Sequence, residues 1–94
     1  MKLHVLKIKL EYFKAVIFGA KKAEVRKNDR NFQEGDIIHF VQPDGSEYPS
    51  FENNAFVITH VLEGVPEYGL AEEYAVLSIE RVSKMPKEFY YARE

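Results

Sequence analysis

The stretch from Gly19 to Asp36, GAKKAEVRKNDRNFQEGD, indicates how this chain folds. It follows a segment, residues 10–18, in which apolar side chains recur every three or four positions, the spacing of one helix face. Gly19 predicts the end of that helix, because glycine accepts the left-handed backbone conformation found there. The alternation over residues 22–27 then predicts a strand, and the polar residues after it predict a loop.

Four further segments have the alternation, or the β-branched and apolar content, of strands. Turn-forming residues after the third and fourth strands predict loops over residues 43–54 and 63–73. One main helix after the first of five strands predicts an α+β, mainly β fold, and a small barrel, since closure removes exposed sheet edges. The four additional strands are predicted at residues 2–9, 37–42, 55–62 and 74–82.

The composition is that of one folded domain. The chain has 94 residues, of which 46% are hydrophobic, and six Tyr and seven Phe can supply a core. We expect a single domain over residues 1–94, with its core at about residues 2–83. A tail over residues 84–94 follows, and its Phe89, Tyr90 and Tyr91 are expected to dock on the body.

The chain contains no cysteine, which excludes disulfides and thiolate metal sites and favours a reducing, cytoplasmic environment. The first ten residues alternate basic and apolar side chains, unlike the unbroken apolar run of a signal peptide. No stretch approaches the roughly 20 apolar residues that cross a membrane. We therefore expect a cytoplasmic protein without membrane association.

Charge is distributed unevenly along the chain, although the formal net charge is only −2. Residues 1–42 hold nine Lys and Arg against five Asp and Glu, so that part carries +4. Residues 43–94 hold four Lys and Arg against ten Asp and Glu, so that part carries −6. The local field of the basic part, rather than the net charge, governs the binding of anions.

The densest polar segment is residues 21–30, with five basic and two acidic side chains. Strand alternation predicts that Ala23 and Val25 face the core while Glu24 and Arg26 share the opposite face. One interpretation is a solvated strand whose charges pair with one another, which contributes little to stability. The other is that these charges converge on the mouth of a pocket.

The run from Gly19 to Arg26 resembles the G-x-K-x-x-E-x-R signature of ASCH domains, which belong to the PUA-like superfamily. A longer string resembles one family of small ASCH-like proteins, with H-x-L-K followed by G-x-K-x-x-E-x-R-K-N-D-R-x-F-x-x-G-D. The resemblance runs from about His4 to Val82. The residues that carry it are His4, Leu6, Lys7, Glu11, Phe13, Val16, Gly19, Lys21, Glu24, Arg26, Lys27, Asn28, Asp29, Arg30, Phe32, Gly35 and Asp36.

The resemblance implies a PUA-like β-barrel of about five strands with the signature lining a cleft beside the helix. It also implies RNA or a modified nucleotide as the ligand. Lysine and arginine bind phosphate, glutamate and asparagine pair with base edges, and Tyr12, Tyr68 or Tyr74 would stack a base. The candidate binding residues are His4, Lys7, Lys21, Glu24, Arg26, Asn28, Asp29, Arg30 and Tyr74.

Two alternatives remain open. One ASCH branch is an amidohydrolase acting on acylated cytidine through a Lys, a Thr and a Glu. Lys21 matches that lysine, Glu24 replaces the threonine, and the glutamate maps only loosely near Glu72 or Glu73. Catalysis would then fall to Lys21 and Glu24 as an acid–base pair.

The other alternative is a protein-interaction domain. The three histidines, His4, His39 and His60, are far apart in sequence, so we expect no metal site and no cofactor.

Overall fold

The computed structural model describes residues 1–49 and 54–83 of the chain. The expected docking of Phe89, Tyr90 and Tyr91 lies outside these residues. Within them, a short 3-10 turn, Pro66–Tyr68, joins the last two strands. The elements in chain order are β1 (Leu3–Lys7), α1 (Leu10–Ile17), β2 (Ala23–Lys27), β3 (Ile37–Val41), β4 (Phe56–Val65) and β5 (Leu70–Arg81).

The five strands form one mixed sheet in the order β1-β3-β4-β5-β2. β1 and β3 are parallel, and the other neighbouring pairs are antiparallel. The predicted mainly β fold with one helix after the first strand is confirmed. β1 and β2 remain the two edges, and no backbone ladder joins them within the described residues, so the predicted barrel closure is not confirmed.

Helix α1 ends where the sequence predicts. Gly19 has a φ of 80°, the left-handed conformation that only glycine adopts without strain. The Arg81 guanidinium donates a hydrogen bond of 2.9 Å to the Ile17 carbonyl, satisfying an acceptor that the helix end leaves open. This contact joins the helix end to the last strand.

The helix packs on the sheet through Phe13, Val16 and Ile17, all of which are buried. The ring of Phe13 stacks on Tyr48, with centroids 4.1 Å apart and an interplanar angle of 5°. The Tyr48 hydroxyl donates to the Ile8 carbonyl at 2.6 Å, so this buried polar group is satisfied. The helix is thereby placed beside the end of β1.

The orientation predicted for β2 is wrong. Ala23 and Val25 are exposed, Val25 at 61%, whereas Glu24 is only 7% exposed and Arg26 is half-buried. Alternation holds, but the polar side chains occupy the inner side. The reason is that Glu24 and Arg26 pair with each other and with neighbouring groups, which offsets the cost of removing them from water.

The prediction of a loop over residues 63–73 is also wrong, because β4 and β5 continue as a hairpin as far as the Val65–Leu70 pair. β4 pairs with β3 only at Phe56 and Val57, so the hairpin extends beyond β3. We call residues 59–73 the arm. Gly64 permits a close approach within it, since a Cβ there would lie 2.5 Å from the Ala71 carbonyl oxygen.

A buried His4–Asp36 pair fixes the loop before β3. His4 Nε2 donates to the Asp36 carboxylate at 2.8 Å, and the backbone N–H groups of Lys2 and Gln33 donate at 3.0 and 3.1 Å. Burial raises the pKa of Asp36, but these hydrogen bonds outweigh it and hold the pKa below its ordinary value of 3.8.

We expect Asp36→Asn to lower the free energy of unfolding by about 1–3 kcal/mol at neutral pH, because charge-assisted hydrogen bonds are lost. A depressed pKa stabilises the fold above the unfolded value and loses that effect as pH falls through the folded value. The difference between wild type and variant should therefore shrink below pH 3.8. Urea unfolding at several pH values measures this difference in free energy, and Glu34→Gln, which removes an exposed carboxylate, is the control. A difference independent of pH would contradict the assignment.

Candidate functional site

The buried carboxylate of Glu24 is the centre of the candidate site. Its Oε1 accepts a hydrogen bond from Lys21 Nζ, and its Oε2 accepts one of 2.8 Å from Arg26 Nε. The Glu24 side chain is 9% exposed, against 29% for Lys21 and 23% for Arg26. Two cations therefore hold one nearly dry carboxylate at the boundary with solvent.

Local structure brings these three side chains together. The Lys21 backbone N–H donates to the Ala15 carbonyl at 3.0 Å, which fixes the turn after α1. Glu24 and Arg26 lie two positions apart on β2 and so point to the same side of the strand. Glu24 pairs with Leu77 on β5, which is fully buried, so the Glu24 side chain lies on the inner face of the sheet.

An open depression of about 410 Å³ lies against this charged group. Tyr12 of α1, half exposed, forms one side of it, and Ile8 lies at the end of β1. The depression thus combines an aromatic ring, aliphatic surface, a cation and a carboxylate. Its lining residues are Ile8, Tyr12, Lys21, Glu24 and Val25.

Arginine side chains span the gap between the two sheet edges. Arg26 donates to the carbonyl of Lys7, and Arg30 donates to the carbonyl of Val5 at 3.0 Å. These carbonyls lie two residues apart on β1 and face the same way. Guanidinium groups therefore satisfy acceptors that a neighbouring strand would otherwise take.

A smaller depression of about 110 Å³ lies at this gap and is lined in part by Asp29, Arg26 and Arg30. Each guanidinium has five N–H donors. The contacts described for Arg26 and Arg30 use only some of these, so both can bind an anion while holding β1.

The remaining candidate residues are distributed around this region. The Lys7 side chain is exposed, although its carbonyl binds Arg26. Asn28 Oδ1 is buried without a hydrogen-bond partner among the described residues, while the Asn28 backbone N–H donates to the Glu73 carbonyl at 2.7 Å. Tyr74 lies on β5 opposite Lys27 and is 39% exposed.

The structure does not bring His4 to the 410 Å³ depression, because its side chain is 6% exposed and binds Asp36. His39 is likewise buried, between the Asn54 carbonyl at 2.8 Å and the Glu47 carboxylate at 2.6 Å. Within residues 1–49 and 54–83, no three His, Asp or Glu side chains lie close enough together to hold a metal ion.

Sequence reasoning missed part of the region around Lys21. Val25 borders the depression although it was expected in the core. Lys21 also lines a second, larger depression of about 550 Å³ beside Phe18, Lys22 and Arg81 at the end of α1. Arg81 lies in another strand, and no local sequence signal links it to Lys21.

A family model described as a domain of unknown function, DUF3850, matches residues 3–79. The chain belongs to this family. The match includes the whole candidate site and the arm, and its description assigns neither ligand nor reaction.

One curated relative is an uncharacterised 12.9 kDa protein in the GpA 3′ region of Escherichia phage P2. It is 46% identical over 37 residues, which are 39% of this chain and 34% of the phage protein. The aligned segment thus spans about a third of that relative.

A solved structure, that of the hypothetical protein PH0355, is similar with a TM-score of 0.60 and 17% identity. The alignment covers 87% of this chain and all of that chain. At this identity the likeness shows the fold alone. No helix among the described residues has the length and apolar character needed to cross a membrane.

Arg26 and Arg30 bridge to the carbonyls of β1, and this bridge predicts that three neighbouring substitutions lower the free energy of unfolding by different amounts. Arg26→Ala removes a partner from buried Glu24 and a donor from Lys7, so we expect a loss of about 1–3 kcal/mol in the free energy of unfolding. Arg30→Ala removes one exposed hydrogen bond and should lower the free energy of unfolding by about 0.5–1.5 kcal/mol. Lys27→Ala, the control, removes an exposed cation of the same strand. Urea unfolding measures all three, and equal values would show that the bridge contributes nothing.

Proposed function

We propose that this protein binds RNA or a modified nucleotide in the depression beside Tyr12, Lys21 and Glu24. The observation that carries the proposal is the nearly dry Glu24 carboxylate, held by two cations at the base of an open depression. A fixed, partly buried carboxylate accepts hydrogen bonds from the amino or imino groups of a base. The depression supplies the other contacts that a nucleotide needs.

Stacking is the first of these contacts. Tyr12 lies on α1 and is 49% exposed, so one part of its ring remains accessible. Single-stranded RNA is recognised largely by unstacked bases that lie against aromatic side chains. Tyr12 and Glu24 line the same depression, which supports a base stacked on Tyr12 with its edge toward Glu24.

Phosphate binding is the second of the contacts that a nucleotide needs. All nine Lys and Arg of the first 42 residues lie between Lys2 and Arg30, where only three acidic residues occur. Lys21 borders the depression, and the remaining donors of Arg26 and Arg30 lie close by. These cationic side chains attract a polyanion over several ångströms and make its binding sensitive to salt.

The ASCH and PUA-like resemblance of the signature supports the same function. Lys21, Glu24 and Arg26 are the signature positions, and they form one connected group in the structure. Fold likeness alone would not support a function, since one fold serves many. The support comes from side chains that the resemblance associates with a ligand-binding cleft.

Fluorescence anisotropy with a short labelled single-stranded RNA tests the proposal. We expect Tyr12→Leu to weaken binding about tenfold, since a stacked base contributes about 1–3 kcal/mol. Lys21→Gln should also weaken binding and reduce its dependence on salt. Lys14→Gln, which removes an exposed cation elsewhere on α1, is the control for charge.

Binding that Tyr12→Leu leaves unchanged would place the RNA elsewhere on the protein. Absence of binding at low salt, for structured and unstructured RNA and for nucleoside monophosphates alike, would reject the proposal.

A second candidate is a nucleoside amidohydrolase, and the direct contact between Lys21 Nζ and Glu24 favours it. A lysine paired with a buried carboxylate can exchange a proton with a substrate in the depression. Glu24 stands where the amidohydrolases that the signature resembles have a threonine. Glu73 is exposed and lies four residues along β5 from the partner of Glu24, about 13 Å at the usual strand rise.

Incubation with N4-acetylcytidine tests this candidate by release of cytidine. If the pair is catalytic, we expect turnover in the wild-type protein and its loss in both Lys21→Gln and Glu24→Gln, because proton transfer needs both groups. The Lys14→Gln variant should retain the activity. Turnover no faster than in buffer would remove the enzyme candidate and leave the binding proposal intact.

A further inference from the structure

Within residues 1–49 and 54–83, the outer edge of β4 has no partner strand along the arm. The last hydrogen bonds on that side join Ile58 to Gly35 at 2.8 Å and to Asp36 at 2.9 Å. Beyond them, residues 59–65 pair with β5 only, among the residues that the structure describes. Unpaired N–H and C=O groups of this kind are a template for another strand.

Bulges protect part of this edge, since the pairing of β4 with β5 shifts between Ile58 and His60 and again between Glu63 and Val65. Natural sheets discourage pairing at an edge with lysine, proline or very short strands. Residues 59–65 read THVLEGV and contain neither lysine nor proline, and Pro66 lies only after the strand has ended. The one charged side chain is Glu63. Among the described residues, positions 60–63 between the two bulges are therefore the stretch to which a strand can be added.

Apolar side chains lie beside the same edge. Leu62 is opposite Val76, which is opposite Val25, so these residues form one row across β4, β5 and β2. Leu62 is 42% and Val25 61% exposed. Tyr74, two positions from Val76 on β5, extends this row and is 39% exposed. An added strand would bury apolar side chains against Leu62 as well as pair its backbone.

Charge selects the occupant of this edge. Residues 31–80 contain no Lys or Arg, and the arm itself contains Glu63, Glu67, Glu72 and Glu73. Nucleic acid would be repelled and could not pair with the strand backbone. A second copy pairing arm to arm would bring eight carboxylates together. The other two edges of this chain, β1 and β2, are joined by Arg26 and Arg30.

We propose that the arm binds an extended, Lys/Arg-rich segment of another protein, which adds to β4 as a further strand. Backbone hydrogen bonds to residues 60–63 supply the pairing, and the basic side chains of the partner face the glutamates of the arm. This interaction uses the backbone edge of β4 and neither Tyr12 nor Lys21, so it does not depend on the proposed RNA binding.

The test uses the whole chain and three labelled peptides in fluorescence anisotropy. Acetyl-KVRVKVRV-amide provides alternating basic side chains and a complete set of N–H donors. Acetyl-KPRVKPRV-amide keeps the charge but lacks two donors and cannot continue a strand. Acetyl-EVEVEVEV-amide reverses the charge. We expect only the first to bind and to slow amide exchange over residues 60–63.

Matched variants test the contribution of the arm. Glu63→Gln with Glu67→Gln should weaken binding of the first peptide about tenfold, as two ion pairs are lost. Glu11→Gln with Glu34→Gln, which removes the same charge elsewhere, should not. Equal binding of the proline peptide would overturn strand addition. A protein that dimerises alone, with its arm protected from exchange, would overturn the choice of partner.

Discussion

The guanidinium of Arg26 makes the interaction on which the candidate site depends. It donates to the buried carboxylate of Glu24 and also to the Lys7 carbonyl at the opposite sheet edge. Without a donor, a carboxylate at that depth would be costly, because its hydration is lost without compensation. One side chain therefore stabilises the inner charge and holds the two edges near each other, so the geometry of the site and the shape of the sheet are coupled.

The fold carries two neighbouring surfaces of opposite charge. The basic residues precede β3 in the chain and surround the depression beside α1, whereas the glutamates of the arm lie on the β4–β5 hairpin. They meet at β5, where Ala75 pairs with Glu63 on one side and with Arg26 on the other. The proposed binding of an anionic ligand uses the first surface, and the proposed binding of a basic protein segment uses the second.

Local signals in the sequence predicted much of the fold. The end of α1 at Gly19 and the strand at β2 follow from glycine chemistry and alternation, and both are present. Alternation did not indicate which face of β2 is buried, since Val25 lies outside and Glu24 inside. The arm was missed because residues 63–73 contain a proline and two glycines, which are typical of loops, whereas pairing with the opposite strand holds them in a hairpin.

The sequence by itself determined the type and order of the main elements, but not the length of the β4–β5 hairpin. It also determined the group formed by Lys21, Glu24 and Arg26, because neighbours on one short strand and its preceding turn cannot lie far apart. The tertiary structure alone decided that Arg26 and Arg30 reach β1, that His4 binds Asp36, and that Tyr12 stands beside Glu24. These contacts join residues distant in the chain. Their positions depend on how the whole sheet curves and packs, which no local pattern encodes.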